Sequence, residues 1–586
     1  MIAEKLTGFS FAHATAVIRR LAESMTAEEM TAHLWPYVEA VGIVHFRNGI
    51  SKKLLDLTRP GNVIPERYQA YRAMAQDGIA YLLANLSPKR LLHLAIDQIL
   101  MPDAAGAEER LVKLAGQIPT LHKLGQILAR NRYVDPAFKK WLISLENGIG
   151  ETPLEAVLDK VQRELTGSSE VRSIKLDEAI LSEASVGAVV GFTWTNRDAN
   201  KKGRGVFKVL KPGVEEKLQE EFGILEKLAE FFLQNKANYP LKEFSYIETF
   251  QDIRESLEKE LELQGEQAHL ERAARFYDDE GLILPRILPL CTDHMTAMTF
   301  IAGDKITDIA MTPEQRKDSA RALFRGLIWR PLISLEEMAI FHGDPHAGNI
   351  FAAENDPRPV LLDWSMAGFL SQKQRLDIVR LVQGILLDDQ ASICEAVQEL
   401  AEIDRKGAGD RRAQIEQTIS DVLDETDYLC GHLLYKTFYL VDRLAVRGIR
   451  FSKDLLLFRK SFFTVEGILH DLDPTFDIDG YLTQLIKALV EEELPKRIAY
   501  FAFPYLDRSL NYKSTLTNAD LQLFIFRFLV KFLEKKTAIL TQSAGELAMS
   551  ALKPLEFLAW SSQTVLIGGV QWTPSLCFSF PRDKYS

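Results

Sequence analysis

The sequence predicts an α+β fold, and a contrast between its central and its flanking regions indicates this. Between about residues 165 and 305, short apolar runs rich in β-branched or aromatic residues flank a long charged helical stretch. Such runs are typical of strands. Before and after this region, apolar residues recur at intervals of three and four, which is typical of amphipathic helices. Strands and helices grouped in this way favour an α+β arrangement.

The bulk properties exclude several classes of protein. A chain of 586 residues is too long for one hydrophobic core, so more than one structural unit is expected. The net charge of −11 argues against a nucleic-acid partner, because phosphate binding usually requires a basic face. The N-terminus has no secretory signal, and no apolar run reaches the roughly 18 residues that span a bilayer. We therefore expect a cytoplasmic protein without a transmembrane segment.

The first part of the chain divides into a helical extension and a strand-containing lobe. Residues 1–110 are predicted to be helical, and they carry no chemical motif. Strands are then predicted at Val186–Val190, Gly205–Leu210 and Met295–Ile301, with a long helical stretch over Phe244–Tyr277 between the second and the third.

The rest of the chain is predicted to be almost wholly helical from Pro313 onward. The exception is Gly343–Asp363, where loop residues surround two short apolar runs, Asn349–Phe351 and Val360–Leu362. Residues 386–586 are predicted to form a helical C-terminal extension.

The strongest chemical signal is the segment His342–Asn349, read HGDPHAGN, which we call the HGD loop. Asp344 and Asn349 lie five positions apart, and Asp363 follows after an apolar run. This spacing matches the loop of a kinase, in which one Asp accepts the hydroxyl proton and an Asn and a second Asp hold Mg²⁺. An isolated HxD would favour an ordinary polar turn, but the three residues together favour a phosphoryl-transfer site.

A lysine within an apolar strand is the second signal. Lys208 lies in the middle of Val206–Leu210, and a buried ammonium group requires an anionic partner. Taken alone, such a lysine is more often an edge residue that reaches water. Its position before an acidic helix favours contact with ATP phosphates and with a carboxylate, which we predict to be Glu260, with Glu266 as the other candidate.

Together these motifs resemble the UbiB/AarF family of atypical kinases, over about residues 110–370. The matching elements are Lys123-Leu124-Gly125-Gln126 (the KxGQ motif), Ala184-Ser185-Val186-Gly187 (the nucleotide loop), Lys208 followed by Lys211-Pro212-Gly213-Val214, Glu260-Leu261-Glu262 followed by Glu266, the HGD loop and Asp363.

The resemblance implies a protein-kinase-like bilobal fold with helical extensions at both ends. It assigns the KxGQ helix and the N-terminal lobe to residues 111–305, and the catalytic part of the C-terminal lobe to 306–385. It implies ATP and Mg²⁺ as cofactors. The implied catalytic residues are Asp344, Lys208, Glu260, Lys123 and Gln126. The implied nucleotide-binding residues are Ala184, Ser185, Val186, Gly187, Lys208 and Glu266. The implied metal ligands are Asn349 and Asp363.

The chain departs from the family pattern in the nucleotide loop and after the metal-binding aspartate. Glu183 stands where the family has alanine, and it would repel phosphates unless its side chain points away. Ala188 replaces the usual glutamine, and Glu262 replaces an aspartate. Asp363-Trp364-Ser365 keeps the metal ligand but loses the glycine of the usual DFG sequence.

The resemblance implies ATP turnover in isoprenoid-quinone or other lipid metabolism, because the KxGQ helix covers the pocket that would admit a peptide. The acceptor is then a small molecule or a lipid. Two alternatives stay open. One is a small-molecule phosphotransferase of the aminoglycoside or choline kinase type, and the other is a non-catalytic nucleotide-binding scaffold. The apolar segment Leu521–Leu533 indicates either a buried helix or, through the resemblance, a peripheral membrane contact.

Overall fold

A computed structural model describes residues 11–129, 152–166, 171–196, 202–235, 238–239, 246–278, 280–354, 356–402 and 408–502. The chain begins there with helices that pack through leucine-rich faces. They are α1 Phe11–Leu21, α2 Ala27–Val41, α3 Ile43–Thr58, α4 Arg72–Asn85, α5 Pro88–Leu100, α6 Ala107–Gly116 and α7 Pro119–Ala129. In α5, for example, Leu91, Leu94 and Ala95 share one face and are buried, so the helix is held by tertiary packing. The KxGQ motif lies in α7.

The N-terminal lobe is an antiparallel sheet backed by helices. Its strands are β1 Val171–Glu183, β2 Gly187–Asn196, β3 Lys202–Leu210 and β4 Met295–Thr299, in the order β1-β2-β3-β4. Its helices are α8 Leu154–Leu165, α9 Val214–Gln234, α10 Tyr246–Leu261 and α11 Leu263–Phe276. Phe192 and Phe207 stack at 3.9 Å between ring centroids, and Val157 and Val161 of α8 are fully buried in the same cluster.

This lobe differs from the sequence prediction in two respects. The edge strand β1 was not predicted, because charged residues interrupt its apolar pattern and its pairing with β2 is shifted by bulges near Leu176 and Ile180. The helical stretch predicted over Phe244–Tyr277 is present, but it forms two helices. The chain breaks at Glu262, whose φ of −87° and ψ of 74° are not helical, and this separates α10 from α11.

The C-terminal lobe combines short hairpins with a helical bundle. Its strands are β5 Gly303–Lys305, β6 Met338–His342, β7 Ile350–Ala353, β8 Asp356–Leu361 and β9 Ala367–Ser371, which pair antiparallel as β5-β7-β8 and β6-β9. Its helices are α12 Pro313–Phe324, α13 Arg330–Ile333, α14 Gln372–Leu387, α15 Gln390–Leu400, α16 Ala408–Leu423, α17 Thr426–Leu429, α18 Leu433–Val446, α19 Lys453–Leu472 and α20 Ile478–Ala502. One continuous apolar core joins β6, β9 and α19.

The predicted α+β fold with two lobes and helical extensions is confirmed. The domain boundaries stay predictions, and two of them, after residues 110 and 385, fall within α6 and α14. The segment Leu521–Leu533 lies outside the described residues. No helix in the described ranges combines the length and the hydropathy that crossing a bilayer requires.

Candidate functional site

Lys208 joins the two lobes through ion pairs. It lies on β3, opposite Val189 of β2, and its side chain is 13% exposed. Its Nζ is 2.7 Å from Oε1 of Glu266 on α11 and 3.4 Å from Oδ1 of Asp363, which follows β8. A carboxylate from each lobe therefore converges on one ammonium group.

The charges at this junction shift one another's pKa values. Burial opposes the charge on Lys208, but Asp363 and Glu266 outweigh it and raise the pKa of Lys208 above its usual range. Burial also raises the pKa of Asp363, yet Lys208 and two hydrogen bonds from Ser365 bring that pKa well below its usual value. Glu266 is different, because burial dominates and raises its pKa to about 7 despite Lys208. Asp363 is thus held as a carboxylate, as a metal ligand must be.

The HGD loop begins where β6 ends and is ordered by His342. This side chain is 1% exposed, and its Nε2 lies 2.9 Å from the carbonyl oxygen of Leu362. The backbone N–H of Asp344 donates to Nδ1 of the same ring, at 3.2 Å. Burial lowers the pKa of His342, so the ring is neutral at pH 7 with its proton on Nε2. The ring therefore ties the loop to the strand that precedes Asp363.

The two predicted metal ligands are held by local hydrogen bonds. Asn349 Nδ2 donates to the carbonyl oxygen of Asp344 at 3.2 Å, so its amide oxygen is the atom left for a cation. Asp363 adopts the left-handed backbone conformation, with φ of 54°, which Asp tolerates better than most residues. Its Oδ1 accepts from the backbone N–H of Ser365 at 3.1 Å and from the hydroxyl of Ser365 at 2.6 Å.

This donor set fits Mg²⁺ bound together with phosphates. Mg²⁺ is usually held by one or two protein oxygens, with water and substrate phosphate completing its shell. Asn349 and Asp363 would supply those oxygens, and the metal would neutralise charge on the phosphates. Within the described residues no cluster of three or more His, Cys, Asp or Glu could hold a metal by itself.

The KxGQ helix meets the nucleotide loop through Glu260. Lys123 of α7 forms an ion pair with Oε1 of Glu260, and the hydroxyl of Ser185 donates to the other carboxylate oxygen at 2.7 Å. Lys123 and Gln126 are both buried, at 5% and 8% exposure. Gln126 lies one turn further along α7, and among the described residues it forms no hydrogen bond to another predicted site residue. One carboxylate thus connects α7 to the loop.

Helix α7 is also fixed at its beginning. Glu221 of α9 is fully buried, and its Oε2 accepts from the backbone N–H of Thr120 at 2.8 Å. Its other oxygen pairs with Arg90 of α5, which also donates to the carbonyl oxygen of Gln117 at 3.1 Å. The helical extension and the N-terminal lobe therefore hold α7 in place together.

The partner predicted for Lys208 needs correction. Glu260 was the first candidate, but it pairs with Lys123, and the second candidate Glu266 pairs with Lys208. The reason is the break at Glu262, which places the two carboxylates on different helices.

The nucleotide loop is a tight connection between β1 and β2. Ala184 is exposed, whereas Ser185, Val186 and Gly187 are buried. The N–H of Ala184 donates to the carbonyl oxygen of Gly187, and the N–H of Lys211 donates to that of Val186, both at 2.8 Å. The backbone of this loop is therefore well ordered.

Glu183, which precedes the loop, has its charge compensated. Its Oε2 lies 3.1 Å from Nζ of Lys211 and accepts from the hydroxyl of Thr152 at 3.2 Å. The unusual acid is therefore engaged by neighbouring side chains, which reduces the repulsion expected between it and a phosphate.

A family model matches the part of the chain that holds the candidate site. The model of the ABC1 atypical kinase-like domain matches residues 144–397. This range holds Lys208, Glu266, the HGD loop and Asp363. Residues 144–397 therefore form an ABC1 atypical kinase-like domain, and the curated relatives support the UbiB/AarF family for it.

Individual family members are similar over most of their length. The "Probable protein kinase UbiB" of Xylella fastidiosa strain M23 is 24% identical over 417 residues, covering 68% of this chain and 73% of that protein. The protein of the same name from Haemophilus ducreyi is 23% identical over 397 residues, covering 66% and 71%. That of Xanthomonas oryzae pv. oryzae is 25% identical over 397 residues, covering 65% and 69%.

Two solved structures are more distantly similar. The complex of Rv3197 with erythromycin from Mycobacterium tuberculosis is 18% identical and covers 55% of this chain and 80% of its own, with a TM-score of 0.35. The Rio2 kinase–ADP/Mg²⁺–phosphoaspartate complex from Chaetomium thermophilum is 11% identical and covers 63% and 96%, with a TM-score of 0.21. At such TM-scores these likenesses carry no functional conclusion.

Helix α19, outside the region that the UbiB/AarF family model matches, also shapes the site. The hydroxyl of Ser461 donates to the carbonyl oxygen of His342 at 2.8 Å, and Phe458 packs on Phe341 with ring centroids 5.0 Å apart. A Cβ on Gly343 would lie only 3.0 Å from Cδ2 of Leu457, so the glycine permits this close approach. Sequence analysis missed these residues, because they lie more than a hundred positions from the motif they support. Ser365, by contrast, lies two positions after Asp363, so its contact with that carboxylate could have been predicted from the sequence.

Proposed function

We propose that this protein binds Mg–ATP between its two lobes and acts as an atypical kinase or ATPase. The observation that carries the proposal is the convergence of Glu266 and Asp363 on Lys208, within 2.7 and 3.4 Å, beside an ordered HGD loop. A buried ammonium group facing two carboxylates from different lobes is costly to maintain unless it serves a ligand. Phosphates of ATP are the anions that kinase-like folds bring to this position.

Each residue then has a role that suits its surroundings. Lys208 would bind the phosphates and be oriented by Glu266. Asn349 and Asp363 would hold Mg²⁺. Asp344 would accept the proton of the acceptor hydroxyl or of water, since it lies in the loop that Asn349 and His342 keep in place. The backbone of Ala184 to Gly187 would approach the nucleotide, while Lys123, Gln126 and Glu260 close that side of the site.

We further propose a small-molecule or lipid acceptor, in isoprenoid-quinone or other lipid metabolism, rather than a protein. The family resemblance supports this, as does the contact of α7 with the nucleotide loop through Glu260, which narrows access from that side. An aminoglycoside-kinase-like phosphotransferase would have no use for that contact. A cytoplasmic location, with peripheral contact to a membrane, is part of this proposal.

Nucleotide binding is tested by thermal unfolding of the purified chain with and without Mg–ATP and Mg–ADP. A ligand that binds only the folded state raises the melting temperature in proportion to the logarithm of its concentration. The Asp363→Asn variant should lose this shift, because the metal that bridges protein and phosphates loses its charged ligand. Asp356→Asn is the matched control, since Asp356 lies on β8, the strand that precedes Asp363, and pairs with Arg358 at the surface. An unchanged shift in Asp363→Asn would refute the metal assignment.

Catalysis is tested by ATP turnover with and without detergent-solubilised lipids and phenolic compounds. We expect turnover that depends on Asp344 and rises with one class of additive, whereas generic protein substrates stay unmodified. Efficient phosphorylation of such proteins, unchanged by Lys123→Ala, would contradict the proposed acceptor class. Nucleotide binding without turnover under any condition would favour the scaffold alternative.

A further inference from the structure

Helix α19 brings a lysine to the side chain that we propose as the base. Nζ of Lys460 lies 3.9 Å from Oδ1 of Asp344. Oδ2 of the same carboxylate lies 4.0 Å from Nε2 of His346, within the HGD loop. Lys460 lies 118 positions after His342 in the sequence, and none of the sequence motifs includes it.

The position of Lys460 is determined by its neighbours on α19. Ser461 bonds to the carbonyl oxygen of His342, and Leu457 contacts the position of Gly343. At the beginning of the helix, the carboxylate of Asp454 accepts from the backbone N–H of Phe369 on β9, at 3.1 Å. The backbone that carries Lys460 is therefore attached to β6, which precedes the HGD loop, and to β9, which pairs with β6.

The ion pair between Lys460 and Asp344 contributes little to stability by itself. The side chain of Lys460 is 46% exposed and its ion pair is long, and exposed pairs of this kind contribute little to folding. The carboxylate it faces is only 10% exposed, so the ammonium group covers the open side of Asp344. Lys460 is half-exposed and lies beside the buried carboxylate of Asp344, so its ammonium group can contact a ligand that approaches Asp344 from solvent.

The HGD loop itself lacks a strong cation. Its sequence, HGDPHAGN, contains neither Lys nor Arg. A phosphoryl group in transfer carries negative charge on its three peripheral oxygens, and catalysis depends on positive groups that stabilise this charge. Lys208 comes from the opposite lobe and is engaged by Glu266 and Asp363. An ammonium group on the side of Asp344 would supply a second positive charge for the phosphoryl oxygens.

We propose that Lys460 is a catalytic residue that contacts the transferred phosphoryl group from the side of Asp344. The inference rests on the proposed function. In the step, the acceptor oxygen bonds to the γ-phosphorus as the bond from that phosphorus to the bridging oxygen of ADP breaks. The acceptor proton passes to Asp344, and ADP leaves with the electron pair. Lys460 neither gains nor loses a proton; its charge stabilises the phosphoryl oxygens.

The position of Lys460 is tested without relying on turnover, by an ATP analogue acylated on its γ-phosphate. The neutral amine of a lysine near that phosphate attacks the acyl carbon and forms an amide, while a proton of the amine passes to water. The bond from the acyl carbon to the phosphate oxygen breaks, and ATP leaves with that oxygen. Peptide mass spectrometry then identifies the acylated lysines. We expect acylation of both Lys460 and Lys208, and suppression of both by excess Mg–ATP.

The outcomes separate the two proposals. Competable acylation of Lys208 with none at Lys460 would leave the nucleotide site standing and overturn the role of Lys460. Absence of competable acylation at both lysines would overturn nucleotide binding, and the role of Lys460 with it. Lys453 is an internal control, because it lies on the same helix, pairs with Glu255 and should not be acylated in a competable way.

Kinetics of ATP hydrolysis distinguish catalysis from support of the fold. We expect Lys460→Gln to lower kcat by about 10²-fold, as loss of one electrostatic donor typically does, with the Kd for Mg–ADP nearly unchanged. Lys460→Arg should recover part of the rate, because it restores the charge. Lys453→Gln should match the wild type. If Lys460→Gln hydrolyses ATP at the wild-type rate, the proposal is wrong. It is also wrong if the loss of rate is no larger than the loss of folded protein that the melting curve shows at the assay temperature.

Discussion

The nucleotide loop and the HGD loop border the same candidate site, yet different contacts hold them. On the nucleotide side, Glu260 joins Ser185 to Lys123 through charged and polar groups. On the other side, the HGD loop lies on an apolar core that includes Phe341 and Phe458, both fully buried. A carboxylate can change its hydrogen-bond or ion-pair partner with little loss of contact. A packed aromatic ring cannot leave its position without leaving a cavity. We infer that the nucleotide side can rearrange and that the HGD loop is preorganised.

The largest expected effect is on the packed side. Phe458→Ala should lower the free energy of unfolding by about 3–5 kcal/mol, because it removes a fully buried ring beneath the HGD loop. Urea unfolding measures the change. Val446→Ala, at a position 73% exposed, should change little. A loss below about 1 kcal/mol for Phe458→Ala would show that this side is not held by packing.

The second prediction concerns the ionic side. Glu260→Gln should cost about 2 kcal/mol, because the ammonium group of Lys123, whose side chain is 6% exposed, loses a hydrogen bond to a charged partner. Lys123→Met combined with Glu260→Gln should recover most of that loss, since replacing both partners of a buried pair is often nearly neutral. A double-mutant cycle in urea gives the coupling. If the losses of stability in Lys123→Met and Glu260→Gln simply add in the double variant, the two side chains are not coupled and the idea of an exchangeable contact is wrong.

Ser461→Ala should have a smaller effect, about 1–2 kcal/mol, because the carbonyl oxygen of His342 loses its hydrogen bond in a buried place. Thr464→Ala on the same helix is the control, since its hydroxyl bonds to a carbonyl at the exposed surface. If both variants lose the same stability, the bond to His342 is not a specific support of the HGD loop.

The smallest effect is a dependence on pH. Burial lowers the pKa of His342, so the folded chain keeps this ring neutral while the unfolded chain protonates it below about pH 6.5. The unfolded state then binds more protons, and the free energy of unfolding falls as the pH falls. At pH 5.5 this amounts to at most about 1.4 kcal/mol. The loss between pH 7.5 and 5.5 should be smaller in His342→Asn than in the wild type.

His269 is the control for the pH measurement. Burial also lowers its pKa, so His269→Asn should reduce the loss of stability at low pH through a residue outside the HGD loop. If His342→Asn leaves the loss unchanged while His269→Asn reduces it, the ring of His342 is not neutral in the folded chain.

The sequence contained what is local to the site. The spacing of Asp344, Asn349 and Asp363 and the strand around Lys208 predicted the two halves of the junction, because each motif is read from adjacent residues. The α+β fold followed from the contrast between strand-like and helical runs. The roles assigned to the site residues stay predictions.

What could not be predicted depends on tertiary contacts. The choice between Glu260 and Glu266 depends on a helix break at Glu262, where the charged, helix-favouring sequence continues without a proline. Strand β1 lies at the edge of its sheet, so packing on one face alone leaves it without a continuous apolar run. The contacts of α19 with the HGD loop join segments that only the folded chain brings together.

The support from α19 also bears on modularity. The region matched by the family model ends at residue 397, whereas the ring and the hydroxyl that underlie the HGD loop come from residues 458 and 461. A chain truncated after residue 397 would leave Phe341 facing water and the carbonyl of His342 without its donor. The region that the family model matches is therefore not expected to fold and function alone. Substitutions in the HGD loop and in α19 should accompany one another among related proteins.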